Sequence, residues 1–319
     1  MTTIHDIAKL AGVSASTVSR VLNNHPYVQQ EKVEAVQKAI NETGYIQNIH
    51  AIHLKKGSTN LIGIVVPFLD QPYFSQLVDG IAKAVSKTDF HILIFQTQYV
   101  ESKELEALEL LKTKQIDSLI FCSRNVGLDV IKKYSRSGKI VLLEDVQVEG
   151  MSCTYMNHYH YFSAALEYLF EKNHNRIGIC ISRGNSTSSL QRKKAFEDFC
   201  ERNQLPLNEN DIFTDCLYLD DGMQLADKLF HSMDRPSALL VTNDQVAAGL
   251  YTASINLGWT VPDDIAIIGF DNQPISKALN MSTIHIPFNS VGEQLITQAT
   301  QATISHHEIK LDFIERGTV

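Results

Sequence analysis

No two of the five cysteines in this 319-residue chain (Cys122, Cys153, Cys180, Cys200, Cys216) are spaced as CxxC. Zinc sites and redox-active pairs need such close spacing, so the thiols are expected to be buried and reduced, and no metal is expected. No apolar run reaches the ~18 residues that a membrane-spanning helix requires. The first residues also lack an apolar signal segment, and a soluble, cytoplasmic protein is the expectation. GxSxG, HExxH, Walker and GxGxxG motifs are all missing, and Gly184-Asn-Ser is too short to cradle a phosphate. No nucleophile–base pair suggests turnover, so neither an enzyme nor a cofactor is expected. The chain shows no internal repeat and no low-complexity tract.

What is present suits two or three domains, with 44% hydrophobic residues to fill their cores. The net charge of −8 is unevenly distributed. Residues 1–57 hold six basic side chains (Lys9, Arg20, Lys32, Lys38, Lys55, Lys56) against four acids (Asp6, Glu31, Glu34, Glu42), a net of +2. The remainder has 22 basic and 32 acidic residues, a net of −10. A mildly basic head on an acidic body fits a localised nucleic-acid surface with modest non-specific affinity.

The segment Thr3-Ile-His-Asp-Ile-Ala-Lys-Leu-Ala-Gly-Val-Ser-Ala-Ser-Thr-Val-Ser-Arg-Val-Leu-Asn-Asn24 reads as two short amphipathic helices around a tight turn. Thr3 and Asp6 suit a capping box. Ile4, Ile7, Ala8 and Ala11 share one helical face. Gly12 suits the left-handed end of a helix, and Ser14 suits the N-cap of the next. Val13 and Val18 sit at hydrophobic-staple positions around that cap. Val18, Val21 and Leu22 then face inward, leaving Ala15, Ser16, Ser19 and Arg20 for solvent or DNA. A third helix begins near Glu31 with Val33, Val36 and Ile40 as its stripe, and Gly44 stops it. This is the build of a helix-turn-helix; a small helical bundle that binds nothing is the plainer alternative.

These residues, Ile7-Ala-x-x-Ala-Gly-Val-Ser-x-x-Thr-Val-Ser-Arg-Val-Leu-Asn23, then Gly44-Tyr45 and Asn48, resemble the opening signature of the LacI/GalR family of bacterial transcription regulators. The resemblance extends over essentially the whole chain. Within the family, Asn23-Asn-His-Pro-Tyr-Val28 and Leu110-Leu-Lys-Thr-Lys-Gln-Ile-Asp117 resemble the catabolite control protein B type. The resemblance implies a helix-turn-helix domain at 1–46, a hinge helix or linker at 47–59, and an effector-binding and dimerisation domain at 60–319. It places Ser16 and Arg20 at base edges with Ala15 in apolar contact. Thr3, Ser14, Thr17, Asn23, Tyr27, Tyr45 and Asn48 become candidates for phosphate contacts. In the hinge it implies that Leu54, with Ala51 one turn earlier, wedges into the minor groove. A connector whose leucine packs on the body is the alternative. Gln47 and Ile52 depart from a proline and an arginine common there, and His50, His53 or Lys55 could compensate.

Beyond residue 60, apolar β-rich runs at 61–66, 91–95, 118–122, 140–143, 176–181, 238–241 and 264–270 alternate with amphipathic stretches such as 74–86, 103–111, 188–200 and 245–256. That alternation means parallel sheets covered on both faces, and this length makes two such subdomains. Ligands of open parallel sheets bind beyond the strand C-termini, and a cleft between subdomains suits a small molecule. The resemblance implies a periplasmic-binding-protein-like body with a carbohydrate effector, a sugar or sugar phosphate. Tyr73, Phe74, Arg192, Asn243, Asp244 and Asp271 match its effector-site motifs. A guanidinium, carboxylates, an amide and aromatic faces suit a polyhydroxylated ligand. Plainer roles stand beside these: Asn243 or Asp244 capping a helix, Asp271 capping a turn, Arg192 in a surface ion pair, the two aromatics in a core or dimer interface. Ile286 stands where some relatives have a polar contact, which dries the cleft. Asn157-His-Tyr-His-Tyr161 looks like a metal cluster, but the resemblance makes Asn157 a helix cap at a crossover.

The expected protein is thus a homodimeric repressor of carbohydrate genes on a near-palindromic double-stranded operator. No heptad segment precedes Val319, which favours a dimer over a tetramer. Two forms of control remain open: a small-molecule effector in the cleft, or a phosphorylated carrier protein acting as corepressor. A sugar-binding module or enzyme with a vestigial DNA-binding head is the remaining alternative.

Overall fold

The computed structural model of the chain describes residues 2–46 and 57–319, and the chain divides into two compact units, Met1–Ser58 and Thr59–Val319. In the first, α1 (Ile4–Leu10), α2 (Ala15–Leu22) and α3 (Gln30–Thr43) enclose a small core. The capping box forms as the sequence predicts. The Asp6 amide donates to Thr3 Oγ1 at 3.3 Å, and the Asp6 carboxylate accepts from the Thr3 amide at 2.8 Å. Those bonds hold the Asp6 carboxyl below the usual carboxylate range. Gly12 (φ +65°) and Gly44 (φ +60°) take the left-handed geometry, and Ser14 caps α2. Ile7, Val18 and Val36 are fully buried, packed with Ala8, Val21 and Ala39.

The second unit holds two α/β lobes. The first lobe's sheet contains β1 (Leu61–Val66), β2 (His91–Gln96), β3 (Ser118–Phe121), β4 (Lys139–Leu143), β5 (Ser152–Tyr155) and β11 (His306–Glu308), in the order β11-β5-β4-β3-β1-β2. All its pairings are parallel. Its helices are α4 (Pro72–Val85), α5 (Glu101–Lys112), α6 (Leu128–Lys132) and α12 (Phe288–Thr300). The second lobe holds β6 (Ile177–Cys180), β7 (Ile212–Phe213), β8 (Ala238–Leu240), β9 (Ala266–Asp271), β10 (Ser282–His285) and β12 (Asp312–Ile314), in the order β12-β10-β9-β8-β6-β7. Its helices are α7 (His158–Glu171), α8 (Thr187–Arg202), α9 (Leu219–Phe230), α10 (Asp244–Asn256) and α11 (Pro274–Ala278). Here the expectation of parallel sheets needs one correction: β12 runs antiparallel to β10 at the sheet edge.

The chain crosses between lobes three times, after β5, after β10 and between β11 and β12. Met156, Ile286, Ile309 and Leu311 are buried at these crossings and join the facing cores into one apolar cluster. Two helix pairs approach closely through glycine. A Cβ at Gly80 in α4 would strike the Phe288 backbone of α12, and one at Gly249 in α10 would strike the Leu219 backbone of α9. Each pair tightens its own lobe, while the crossings turn the C-terminal ends of the two sheets toward each other. No helix among the described residues is long and apolar enough to cross a membrane.

Candidate functional site

Two sites emerge, one in each unit. On the head, α2 presents Ser16 and Arg20, four residues apart and both exposed, on one face. Ser14 Oγ accepts from the Thr17 amide at 3.2 Å and shares hydrogen bonds with Ser16 Oγ (2.8 Å) and Thr17 Oγ1 (2.9 Å). The N-terminus of α2 therefore carries a cluster of three hydroxyls, exposed at Ser14 and Ser16. Ala15 and Thr17 are half-buried beside it. Asn23 spends its Nδ2 on the Ser19 carbonyl at 2.7 Å, and Thr3 spends its hydroxyl on Asp6. Tyr27 is 88% exposed, its ring tilted against that of His25 at 5.8 Å, whereas Tyr45 packs partly against the head core. Asn48, Ala51 and Leu54 lie outside the described residues.

In the body, a cavity of about 290 Å³ lies between the lobes at the strand C-termini. Tyr73, Phe74, Arg192, Asn243 and Asp271 all line it. Pro72 at the first turn of α4 aims the two aromatics, which meet edge-on at 4.9 Å, with Phe288 a further 5.5 Å from Tyr73. Arg192 is 6% exposed. Its guanidinium lies 4.4 Å from the Phe270 ring and donates to Thr242 Oγ1 at 2.9 Å. Its Nε is buried with no hydrogen-bond partner. Burial pushes the guanidinium down to about 10, against the pull of Asp271, so it remains a cation near neutrality. His158, the first residue of α7 (a helix that Asn157 caps through the His160 amide), sits 3.4 Å from Arg192 and is kept neutral by burial and by that charge.

Asp271 ends β9 with φ at +102°, a conformation that strains any residue bearing a side chain. Its carboxyl accepts one bond from Gln273 Nε2 at 2.8 Å. Burial, then the neighbouring Asp244, raises it well above the usual range. Asn243 caps α10 through the Val246 amide and still reaches the cavity wall.

Asp244 corrects the sequence reading. It is fully buried and does not line the cavity. Its carboxylate accepts from Thr283 Oγ1 at 2.7 Å and from the Gln273 amide at 2.6 Å, fixing the strained 271–273 turn from behind. Burial raises it to about 6. Side chain 244 points away from the cleft because residue 243 takes the capping position.

Sequence reasoning missed the opposite wall, where Tyr99, Arg124 and Glu144 of the first lobe face Arg183, Thr187 and Gln191 of the second. Arg124 and Glu144 form a bidentate pair at 2.7 Å and 2.7 Å. Buried Glu104 accepts from the Asn125 and Val126 amides (2.9 and 2.8 Å) and so positions the loop after β3. A signal was available: these residues follow β2, β3, β4 and β6, where ligands of parallel sheets sit.

Comparison with known proteins connects the two sites. A family model described as bacterial regulatory proteins, lacI family, matches residues 3–48. A second, described as periplasmic binding proteins and sugar binding domain of LacI family, matches residues 59–309. The chain belongs to the LacI family. It is similar to the uncharacterized HTH-type transcriptional regulator YkvZ of Bacillus subtilis, with 38% identity covering 100% of both chains. It is similar to catabolite control protein B of the same organism at 33% identity, covering 92% of each chain. Among solved structures, a LacI family regulator from Lactobacillus casei with bound sucrose matches at a TM-score of 0.74 and 25% identity, covering 81% of this chain and 99% of that one. The lac repressor dimer bound to operator and an anti-inducer shares the fold, with a TM-score of 0.84, 23% identity and coverage of 99% and 98%. This LacI-family chain is therefore a DNA-binding transcriptional regulator, and its relatives are regulators rather than enzymes.

Proposed function

We propose that this regulator is a homodimeric repressor of carbohydrate-metabolism genes, controlled by a sugar or sugar phosphate in the interlobe cavity. The observation that carries the effector reading is Arg192, a buried cation at the cavity wall whose Nε has no partner. An orphaned buried donor costs about 1–3 kcal/mol, and a ligand oxygen would relieve it. Asp271, Asn243 and the Tyr73–Phe74 pair supply the remaining polar groups and apolar wall. On the head, Arg20 and Ser16 read base edges, Ala15 adds apolar contact, and Thr3, Ser14, Thr17, Asn23, Tyr27, Tyr45 and Asn48 hold the phosphates. Ala51 and Leu54 enter the minor groove. The boundaries at 1–46, 47–59 and 60–319 divide the reading, hinge and effector roles. The effector shifts the balance between two arrangements of the lobes, and that balance sets operator affinity.

A thermal-shift screen of the full chain against mono- and disaccharides, their phosphates and purines tests the effector. A ligand at about 100 times its Kd stabilises by about 2.7 kcal/mol, or roughly 5–10 °C for a body of this size. A hit lost in Asp271→Ala supports the cavity. A hit retained in that variant places the effector elsewhere. For the head, Arg20→Ala should lose about 1–3 kcal/mol of discrimination between operator and scrambled DNA; full discrimination in the variant refutes the base-reading role.

One observation favours a second form of control. Ile286 presents an apolar wall to the cavity at 1% exposure, which leaves fewer polar contacts for a free sugar. A phosphorylated carrier protein acting as corepressor would bypass the cavity. Asp271→Ala would then leave regulation intact, and a pull-down with the phosphorylated carrier would recover this chain.

A further inference from the structure

Two residues lining the cavity meet across the lobes. After β6, Arg183 reaches from the second lobe to the first. Its guanidinium lies 3.7 Å from the centre of the Tyr99 ring. It also donates to the Arg124 carbonyl at 3.3 Å and to Asn125 Oδ1 at 3.2 Å. Both sides of this contact are built. Gln98 and Tyr99 have successive positive φ values of +55° and +59°, and Tyr99 Oη is held by Ser123 Oγ at 3.1 Å. Two adjacent left-handed residues without glycine are strained, and the strain delivers the ring to the cavity. On the other side, the Arg183 carbonyl accepts from Ser186, the residue that caps α8. Beside it, Thr187 donates to Glu144, and Gln191 donates to Asp145 at 2.7 Å. The Arg183, Thr187 and Gln191 contacts to Tyr99, Arg124, Asn125, Glu144 and Asp145 all run between lobes.

We propose that Arg183 is an internal occupant of the cavity, a latch that takes the Tyr99 face and by its own contacts holds the lobes together. The Tyr99 ring is then a further ligand-contact surface, open to the apolar face of a cyclic polyol only when Arg183 leaves it. An effector must displace the latch to enter, and can replace its interlobe contacts once inside. Arginine suits the role better than lysine, since its planar fork stacks and donates at the same time. The latch itself is independent of effector and DNA; only its consequence for ligand entry rests on the cavity reading above.

Pulsed dipolar EPR on the effector-free full chain tests it. Spin labels go on Lys103→Cys in the first lobe and Leu190→Cys in the second, both exposed, while all five native cysteines are buried. The expected result is one narrow, short distance. Arg183→Met should shift the closed-to-open ratio on the order of tenfold, the loss of a cation–π contact and a partly exposed charged hydrogen bond. Tyr99→Leu should shift it in the same direction but by less, because Arg183 keeps its bonds to Arg124 and Asn125, and the double variant should add little to Arg183→Met, because the ring contact is shared. A broad or long distance in the parent chain overturns the proposal, as does an unchanged distance in both single variants. The readout needs neither ligand nor operator, so a flat effector screen would sink the cavity reading and leave this one standing.

Discussion

Asp244 offers a sharp quantitative test, because its burial behind the cleft should make the body gain stability as pH falls. Its carboxyl is raised from 3.8 to about 6. An acid with a raised folded-state value is easier to protonate when folded than when unfolded, so its ionisation opposes folding. That penalty is fully present above pH 6 and vanishes below pH 3.8. A rise of this size corresponds to about 3 kcal/mol, at 1.36 kcal/mol per pH unit. Asp271 is raised by burial and by Asp244 itself, so the two titrate as a pair and apparent midpoints belong to both. Asp244→Asn removes the ionisation but keeps an acceptor toward Thr283. Its cost at the Gln273 amide is independent of pH and cancels when two pH values are compared. Urea unfolding of the parent and Asp244→Asn chains at pH 7.5 and 4.5 is the assay. The parent should gain about 2 kcal/mol relative to the variant on going to the lower pH, since the last part of the penalty is lifted only nearer pH 3.8. Parallel pH profiles would refute the reasoning, and would mean that water reaches Asp244 or that the Thr283 and Gln273 bonds fully offset its burial.

Other expectations follow from single contacts. Ser14→Ala removes the α2 cap and should destabilise the head by about 1 kcal/mol, read as faster amide exchange in residues 15–22 with the body unchanged. Gly249→Ala would force a Cβ into the Leu219 backbone and should cost the body about 1–3 kcal/mol or more in denaturant titration; an unchanged midpoint would mean that the two helices can separate freely. Glu104→Gln weakens the acceptor for the Asn125 and Val126 amides and should cost about 1–3 kcal/mol, with exchange rising at those two amides first.

The head was almost wholly legible in the sequence because its signals are local. Capping pairs lie three residues apart, turn glycines announce themselves, and one helical period decides which side chains are buried. In the body, strands made of unbroken or nearly unbroken apolar residues, such as β1 and β8, were legible for the same reason. Strands β5, β7, β10, β11 and β12 were not: each is short and, except for the two-residue β7, carries polar residues that break the apolar run by which the equally short β3, β6 and β8 stood out. The motif-bearing cleft residues Arg192, Asn243 and Asp271 were legible through their neighbours in the chain. Asp244 was misplaced because adjacent residues at a helix start diverge, one capping and one turning inward, and sequence does not say which.

The sequence by itself determined a three-helix reading head, an alternating α/β body, and one wall of a cavity. Tertiary structure alone decided the other wall. Tyr99, Arg124, Glu144 and Arg183 come from four separate strand ends and share no spacing pattern. They meet because parallel strands place their C-termini along one edge, and three chain crossings turn the two edges toward each other. Whether a carboxylate such as Asp244 contacts ligand or braces a turn depended on packing for the same reason. Its nearest partners, Gln273 and Thr283, are 29 and 39 residues away in the chain.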